Sequence, residues 1–427
     1  AVARALRSRG DAVRSFSRGS PPELSALGVD HRRGDVADGR GVEEAVRGVD
    51  VVFHAAAKVA AAGRYADFHA TNVEGTGNVI AACRECGVTT LVYTSTPSVT
   101  FGQSDLEGVN ESIGYADHYD GFYGRTKAEA ERLLLAAAAD ALRTVALRPP
   151  LVVGPGATSI LPRVVQRGRN GALRRIDGPA KRTDVTYIDD VVQAHLLAAE
   201  RLLAGGDTAA RVSGKAYFLS SGEPVEIWEF INRLLAAAGV PPVEKRVSLR
   251  AAMAAGWVFE KVHTLTGATG DPRMSRWIVR ELTTARWFDS SAARRDLGIG
   301  EDVGGLVSRP DRHDTGQGVD DLRRPSLPGP GFDLLADEVA IRESNQIAVR
   351  AFVVDQVLAI HGAAQVSPLL VVGCRDRATT VTRGKDVEGI ERGVAAAGGL
   401  EDVALERVAV DQVLAQGEHA VVHRNVH

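Results

Sequence analysis

The chain has 427 residues, 44% of them hydrophobic and 25% charged, with a formal net charge of −3 at neutral pH. This is the profile of a soluble globular protein with room for two or three domains, and it gives no reason to expect nucleic acid or an anionic surface as a partner. There is no apolar run of about 18 residues, which argues against a helical membrane span.

The predicted elements begin abruptly. Val2, Ala3, Ala5 and Leu6 recur at helical spacing and Gly10 sits where a helix ends, so the chain opens inside a helix. Strands are predicted at 12–18, 29–36, 49–56, 89–95 and 143–149. Helices are predicted near 21–27, 41–47, 65–85, 123–139 and 189–204. Short apolar strands alternating with helices indicate an α/β fold, a doubly wound parallel sheet of Rossmann type. After residue 150 the alternation loosens. A smaller lobe carrying Trp228, Phe230, Trp257, Phe259, Trp277 and Trp287 is expected to cover a cleft.

The composition changes near residue 300. Residues 1–300 hold 20 of the 22 aromatic residues and six of the seven lysines. "RRPSLPGPGFD" at 323–333 reads as a linker. The predicted organisation is therefore 1–155, 156–300, and an atypical tail, 301–427, of doubtful fold. Loss of aromatics and lysine with arginine kept is the pattern of a frameshifted GC-rich reading frame. Three cysteines fit a reducing, cytoplasmic compartment, and the Cys83/Cys86 pair reads as two ordinary helix residues, with no metal expected.

Tyr123 and Lys127 in "GFYGRTKAEAERLLL" lie four residues apart, on one face of a helix. A free tyrosine titrates near 10, and a nearby ammonium stabilises its phenolate, so the pair suits proton transfer at a carbonyl or alcohol. An exposed structural pair would look the same. "LVYTSTPSV" ends a strand in the hydroxyls of Thr94, Ser95 and Thr96, where ligands of open α/β sheets bind. A hydroxyl there can steady developing charge on a substrate oxygen; the alternative is turn chemistry around Pro97. Ala55, Ala56 and Ala57 close another strand with small side chains that admit a flat cofactor, or simply permit packing. Asp35 stands at a strand end, as an adenine ligand or a solvated turn carboxylate.

With "FHAAA", "NVEGTGNV", "YTST", "YGRTK", "LRPPLVVGPG" and "VTYIDDVVQAH" in order, residues 1 to about 300 resemble an extended short-chain dehydrogenase/reductase of the 3β-hydroxysteroid dehydrogenase branch. Through "TSTPSV", "YFLSSGEPVEIWEFINRLL" and "TTARWFDSSAARRDLG" the chain is similar to the bacterial 2-alkyl-3-oxoalkanoate reductases of long-chain olefin biosynthesis. The resemblance implies that Tyr123 is the acid/base. It implies that Lys127 lowers the Tyr123 pKa and holds the nicotinamide ribose, and that Thr96 polarises the substrate oxygen. Asp35 and Val36 would frame the adenine, Ala55 to Ala57 and Thr94 would run along the dinucleotide, and Pro150 would lie near the nicotinamide. Asn72, in the family's N-x-x-G-T helix, is left out of the catalytic set. Ser17 and Arg18 follow the second family strand, where an acidic residue would select NAD; arginine suits a 2′-phosphate, so NADP(H) is expected over NAD(H).

By the same resemblance the reaction is reduction of a long-chain 2-alkyl-3-oxoalkanoate to the 3-hydroxy acid. A homodimer and an assembly with other olefin-pathway enzymes are left open. The alternatives are a 3β-hydroxysteroid or 4-carboxysterol 3-dehydrogenase, and a sugar-nucleotide epimerase or dehydratase. A further one is an inactive remnant or scaffold. The last draws on a departure from the family: the first strand and its glycine-rich phosphate loop are expected to be missing, leaving unpaired backbone in the middle of the sheet.

Overall fold

The computed structural model describes residues 1–300, except 103, 140, 156–159, 267–270 and 273, together with 351–353 and 369–373. The chain divides into two units, Ala1–Asp376 and Arg377–His427, and the second lies outside the described residues.

The predicted alternation is present. Strands β1 (Val13–Ser17), β2 (Asp30–Arg33), β3 (Val51–His54) and β4 (Thr90–Thr94) are separated by helices α2 (Pro22–Ala26), α3 (Gly39–Val46), α4 (Tyr65–His69) and α5 (Gly75–Glu85), after an opening helix α1 (Val2–Ser8). A short strand β5 (Leu106–Val109), helix α6 (Phe122–Ala136) and strand β6 (Arg143–Arg148) follow. All four residues of β3 are buried, as a strand covered on both faces requires. β3, β4, β6 and the strand Lys215–Phe218 pair in parallel, in that order. The core around them includes Val52, Leu91, Tyr93, Val145 and Leu147, with the helices on both faces contributing Val42, Val79 and Ala198. A separate apolar cluster at Ile227, Trp228, Ile231, Leu235 and Val279 lies in the later half.

The slot between β1 and β3 differs from expectation. It is taken by Ala351–Val353, which runs parallel to both neighbours, and by Leu369–Gly373, which runs antiparallel to both. The physical reason is that the facing edges of two buried strands need hydrogen-bond partners, and "LLVVG" is an apolar run of the kind sheets accept. Two short pieces of the atypical tail therefore stand in the sheet; its other residues lie outside the described ones.

The predicted helix over 65–85 is interrupted. Residues Ala70–Glu74 form a π-helical turn between α4 and α5, and Asn72 sits within it, fully buried. Wide turns of this kind re-aim side chains inside a helix.

Candidate active site

The site is built where β4 ends and α6 begins. After Thr94 the chain leaves the sheet through Ser95 and Thr96 into a 3₁₀ turn, Pro97–Thr100. The Thr96 hydroxyl oxygen accepts from the Ser98 amide at 3.2 Å, capping that turn. The same hydroxyl also acts on the Tyr123 phenol, favouring its ionised form. Turn chemistry and site geometry, which the sequence poses as alternatives, coincide in one side chain.

Gly124 explains the closeness of the two elements. A Cβ at that position would stand 2.8 Å from the Ser98 carbonyl oxygen and 3.1 Å from the Tyr119 ring. Glycine therefore lets the first turn of α6 press against the turn after β4, which sets Tyr123 beside Thr96.

Lys127 is 1% exposed. Its Nζ donates to the Thr94 carbonyl at 2.7 Å and lies 3.9 Å from the centroid of the Tyr93 ring. Burial pulls its pKa from 10.5 to about 7, with Glu131 acting the other way. Tyr123 is pushed up to about 12 by burial, which the Thr96 hydroxyl partly offsets. Here the ammonium is turned to the strand carbonyl, and desolvation dominates the tyrosine.

Behind these residues lies a buried polar network. Glu131, one helical turn beyond Lys127, accepts from Arg148 Nε at 3.1 Å and Nη2 at 2.5 Å, and from the Ser95 hydroxyl. Glu131 is 0% and Arg148 3% exposed. Asn72 takes the Lys58 amide on its carbonyl at 2.6 Å and donates to the Lys58 carbonyl at 3.1 Å and the Thr126 hydroxyl at 2.9 Å. It thereby ties the loop after β3 to α6. The Thr94 hydroxyl reaches His195 Nε2 at 2.7 Å, while Nδ1 of that ring bonds the Val191 carbonyl at 2.7 Å. A carbonyl only accepts, so Nδ1 carries the proton and Nε2 accepts from Thr94.

The cofactor candidates fall at the ends of β1, β2 and β3. Arg18 and Asp35 approach to 3.7 Å and are both well exposed. The Ser17 carbonyl accepts from the Gly34 amide at 2.9 Å, joining the two strand ends, and the Ser17 side chain is buried. Val36 is buried, and its carbonyl accepts from Asn78 Nδ2 at 2.9 Å. Ala56 and Ala57 are buried, while Ala55 and Pro150 are half-buried. An exposed cation and carboxylate at neighbouring strand ends, with small residues at the next, fit an adenine dinucleotide. Cys83 is buried and its thiol is pushed well up by desolvation, so it carries no reactive thiolate.

A cleft opens beside Tyr123, and Ser98, Trp277, Glu281 and Arg286 line it with Tyr123. Of the predicted lobe aromatics, Trp277 thus faces the cleft, Trp228 is core, and Trp257 is half exposed. Glu131, Arg148, His195 and Arg286 were not singled out from sequence. Only Glu131 left a trace there, as the next same-face position after Lys127.

Residues 11–250 match the model of the 3-beta hydroxysteroid dehydrogenase/isomerase family. The chain belongs to that family. Its members are NAD(P)-dependent oxidoreductases, and this chain is one. It is 44% identical over 300 residues to the 2-alkyl-3-oxoalkanoate reductase of Stenotrophomonas maltophilia, covering 70% of this chain and 90% of that protein. It is 41% identical over 305 residues to the 2-alkyl-3-oxoalkanoate reductase of Shewanella oneidensis, covering 70% and 78%. Among solved structures it is similar in fold to gox2253, with a TM-score of 0.54 and 23% identity, covering 70% of this chain and 88% of that one. Among the described residues no helix is long and apolar enough to cross a membrane.

Proposed function

We propose that this protein reduces a 2-alkyl-3-oxoalkanoate to the 2-alkyl-3-hydroxyalkanoate with NADP(H), using Tyr123, Thr96 and Lys127. The observation that carries the reading is the placement of Tyr123 on the cleft with Lys127 buried one helical turn behind it, in a chain that is 44% identical over 300 residues and 41% identical over 305 residues to two reductases of that name.

A nicotinamide bound along the strand ends supplies the hydride. The residues manage the oxygen. With a pKa near 12 the phenol holds its proton at neutral pH, as a donor to a ketone oxygen must. The Thr96 hydroxyl, fixed by the turn it caps, adds a second hydrogen bond where negative charge develops. Lys127 is buried directly behind them, and its ammonium is placed to hold a cofactor ribose and to oppose charge on the phenolate left after proton transfer. Arg18, beside Asp35, is placed to take a 2′-phosphate, which favours NADP(H).

The test is NADPH oxidation with three substrates: a 2-alkyl-3-oxo acid, a 3-ketosteroid and a UDP-sugar. Turnover of the first is expected. Turnover of the steroid or the sugar without the acid would overturn the reading.

A further inference from the structure

One buried cation in the cleft has no part in the proton chemistry above. Arg286 is 5% exposed and begins the strand Arg286–Phe288. Its Nη1 donates to the Ser104 carbonyl at 2.7 Å, and Nη2 donates to the Gly102 carbonyl at 3.3 Å. The guanidinium lies over the Phe101 ring, 4.2 Å from its centroid. Two of its five N–H groups are thus engaged. Nε is buried with no hydrogen-bond partner among the described residues. A donor left unpaired away from water is costly unless a ligand completes it.

We propose that Arg286 binds the carboxylate of the substrate, so that the site selects 3-oxo and 3-hydroxy acids over the corresponding ketones and alcohols. The inference rests on the reading of the substrate as a 2-alkyl-3-oxoalkanoate. In such a molecule one carbon separates the carboxylate from the carbonyl that Tyr123 protonates. A proton donor and a carboxylate-binding cation must then face the same small space, and Tyr123 and Arg286 line one cleft. A planar guanidinium held on two sides by backbone carbonyls is pre-organised for a carboxylate.

The other charges nearby leave this role open. Asp120 pairs with Arg280 at 3.2 Å, and Asp105 pairs with Lys181 and accepts from the Ala285 amide at 2.8 Å. Glu281 remains, facing the cleft with Arg286. Burial pushes its carboxyl above the usual range, and Asp120 adds to the rise while Arg286 opposes it. The same burial makes it easier to protonate when an anionic ligand arrives. Phe101 and Trp277 supply apolar walls on which alkyl chains can lie.

The experiment runs in the oxidation direction with NADP⁺. The substrates are a 2-alkyl-3-hydroxyalkanoate, its primary amide, and the secondary alcohol of the same chain without the carboxyl. Wild type is expected to favour the acid over the amide by about 100-fold in kcat/KM, chiefly through KM, the worth of one or two charge-assisted hydrogen bonds. Arg286→Gln should lose about that factor on the acid and stay within about threefold on the amide, with Arg286→Lys between. Equal use of acid and amide by wild type, or an equal fall on both in Arg286→Gln, overturns the assignment. Should the Gln variant fail to fold, the wild-type comparison decides alone. Turnover of amide and alcohol with no preference for the acid removes Arg286's role and leaves the reductase reading standing. No turnover of any of the three overturns that reading, and the assignment with it.

Discussion

Lys127 donates its ammonium proton to the Thr94 carbonyl at 2.7 Å, inside a pocket that leaves the side chain 1% exposed. One carbonyl and one aromatic face replace the water an ammonium would otherwise keep, which is why its pKa falls to about 7. The consequence is a pH-dependent stability. Between about 7 and the ordinary 10.5 the unfolded chain binds a proton that the folded chain does not, so stability rises with pH in that window. Below pH 7 both states hold the proton and the full cost of burial is present. In the absence of cofactor, wild type minus Lys127→Met should gain stability from pH 7 to 10, by up to about 1.4 kcal/mol per pH unit. Urea unfolding at a series of pH values measures it, and a flat difference contradicts it.

Gly124 holds α6 against the turn after β4. A methyl group there would stand 2.8 Å from the Ser98 carbonyl oxygen, so one of the two backbones must move. Gly124→Ala should cost about 1–3 kcal/mol of stability. It should also lower kcat by about 10–100-fold, because Tyr123 and Thr96 separate. Thermal unfolding and steady-state kinetics on one preparation check both, and unchanged kcat would show that the close approach has no bearing on the chemistry.

Glu131 and Arg148 form an ion pair with almost no access to water. Removing one partner strands the other, at a cost of about 3–5 kcal/mol, while replacing both by apolar residues is far milder. Arg148→Met should therefore destabilise more than the double substitution Arg148→Met with Glu131→Leu. Ser95, which donates to Glu131, lies between Thr94 and Thr96, so the single variant should also raise KM for NADPH. A double variant as unstable as the single one would contradict the account. Denaturant midpoints for wild type, the two single variants and the double complete the cycle.

Much of this was legible in the sequence. The alternation of apolar strands and helices over residues 1–200 placed β1 to β4, β6 and α6 within a few residues, because short buried strands and amphipathic helices have distinct periods. Tyr123 and Lys127 are singled out by their spacing, and both lie on α6 as that spacing implies. Arg286 is not singled out. It follows an undistinguished "LTTA", and its meaning comes from Tyr123, which chain folding brings to the same cleft. Asn72 was placed on a helix but not in a π turn, since the widening reflects its bonds to Lys58 and Thr126 and has no local signature. The partner of the Lys127 ammonium has no local signature either: helical spacing fixes a face, and the strand beneath decides the partner.

The proposed preference for NADP(H) rests on Arg18. Its 3.7 Å approach to Asp35 is an exposed ion pair, the kind that contributes little to stability. Arg18→Ala should leave unfolding almost unchanged and lower the ratio of NADPH to NADH efficiency by about 10–100-fold through KM for NADPH. Kinetics with both cofactors decide it, and an unchanged ratio would remove Arg18 from the cofactor site.

The most direct measurement supplies NADPH carrying deuterium at the transferable position of the nicotinamide, together with a 2-alkyl-3-oxoalkanoate, and reads the product by mass spectrometry for wild type and Tyr123→Phe. The expected result is a 3-hydroxy acid with one deuterium at C3 from wild type, and a rate at least about 100-fold lower from the variant, the loss of a positioned proton donor. An unlabelled product, no product from wild type, or an undiminished rate in Tyr123→Phe would contradict the account.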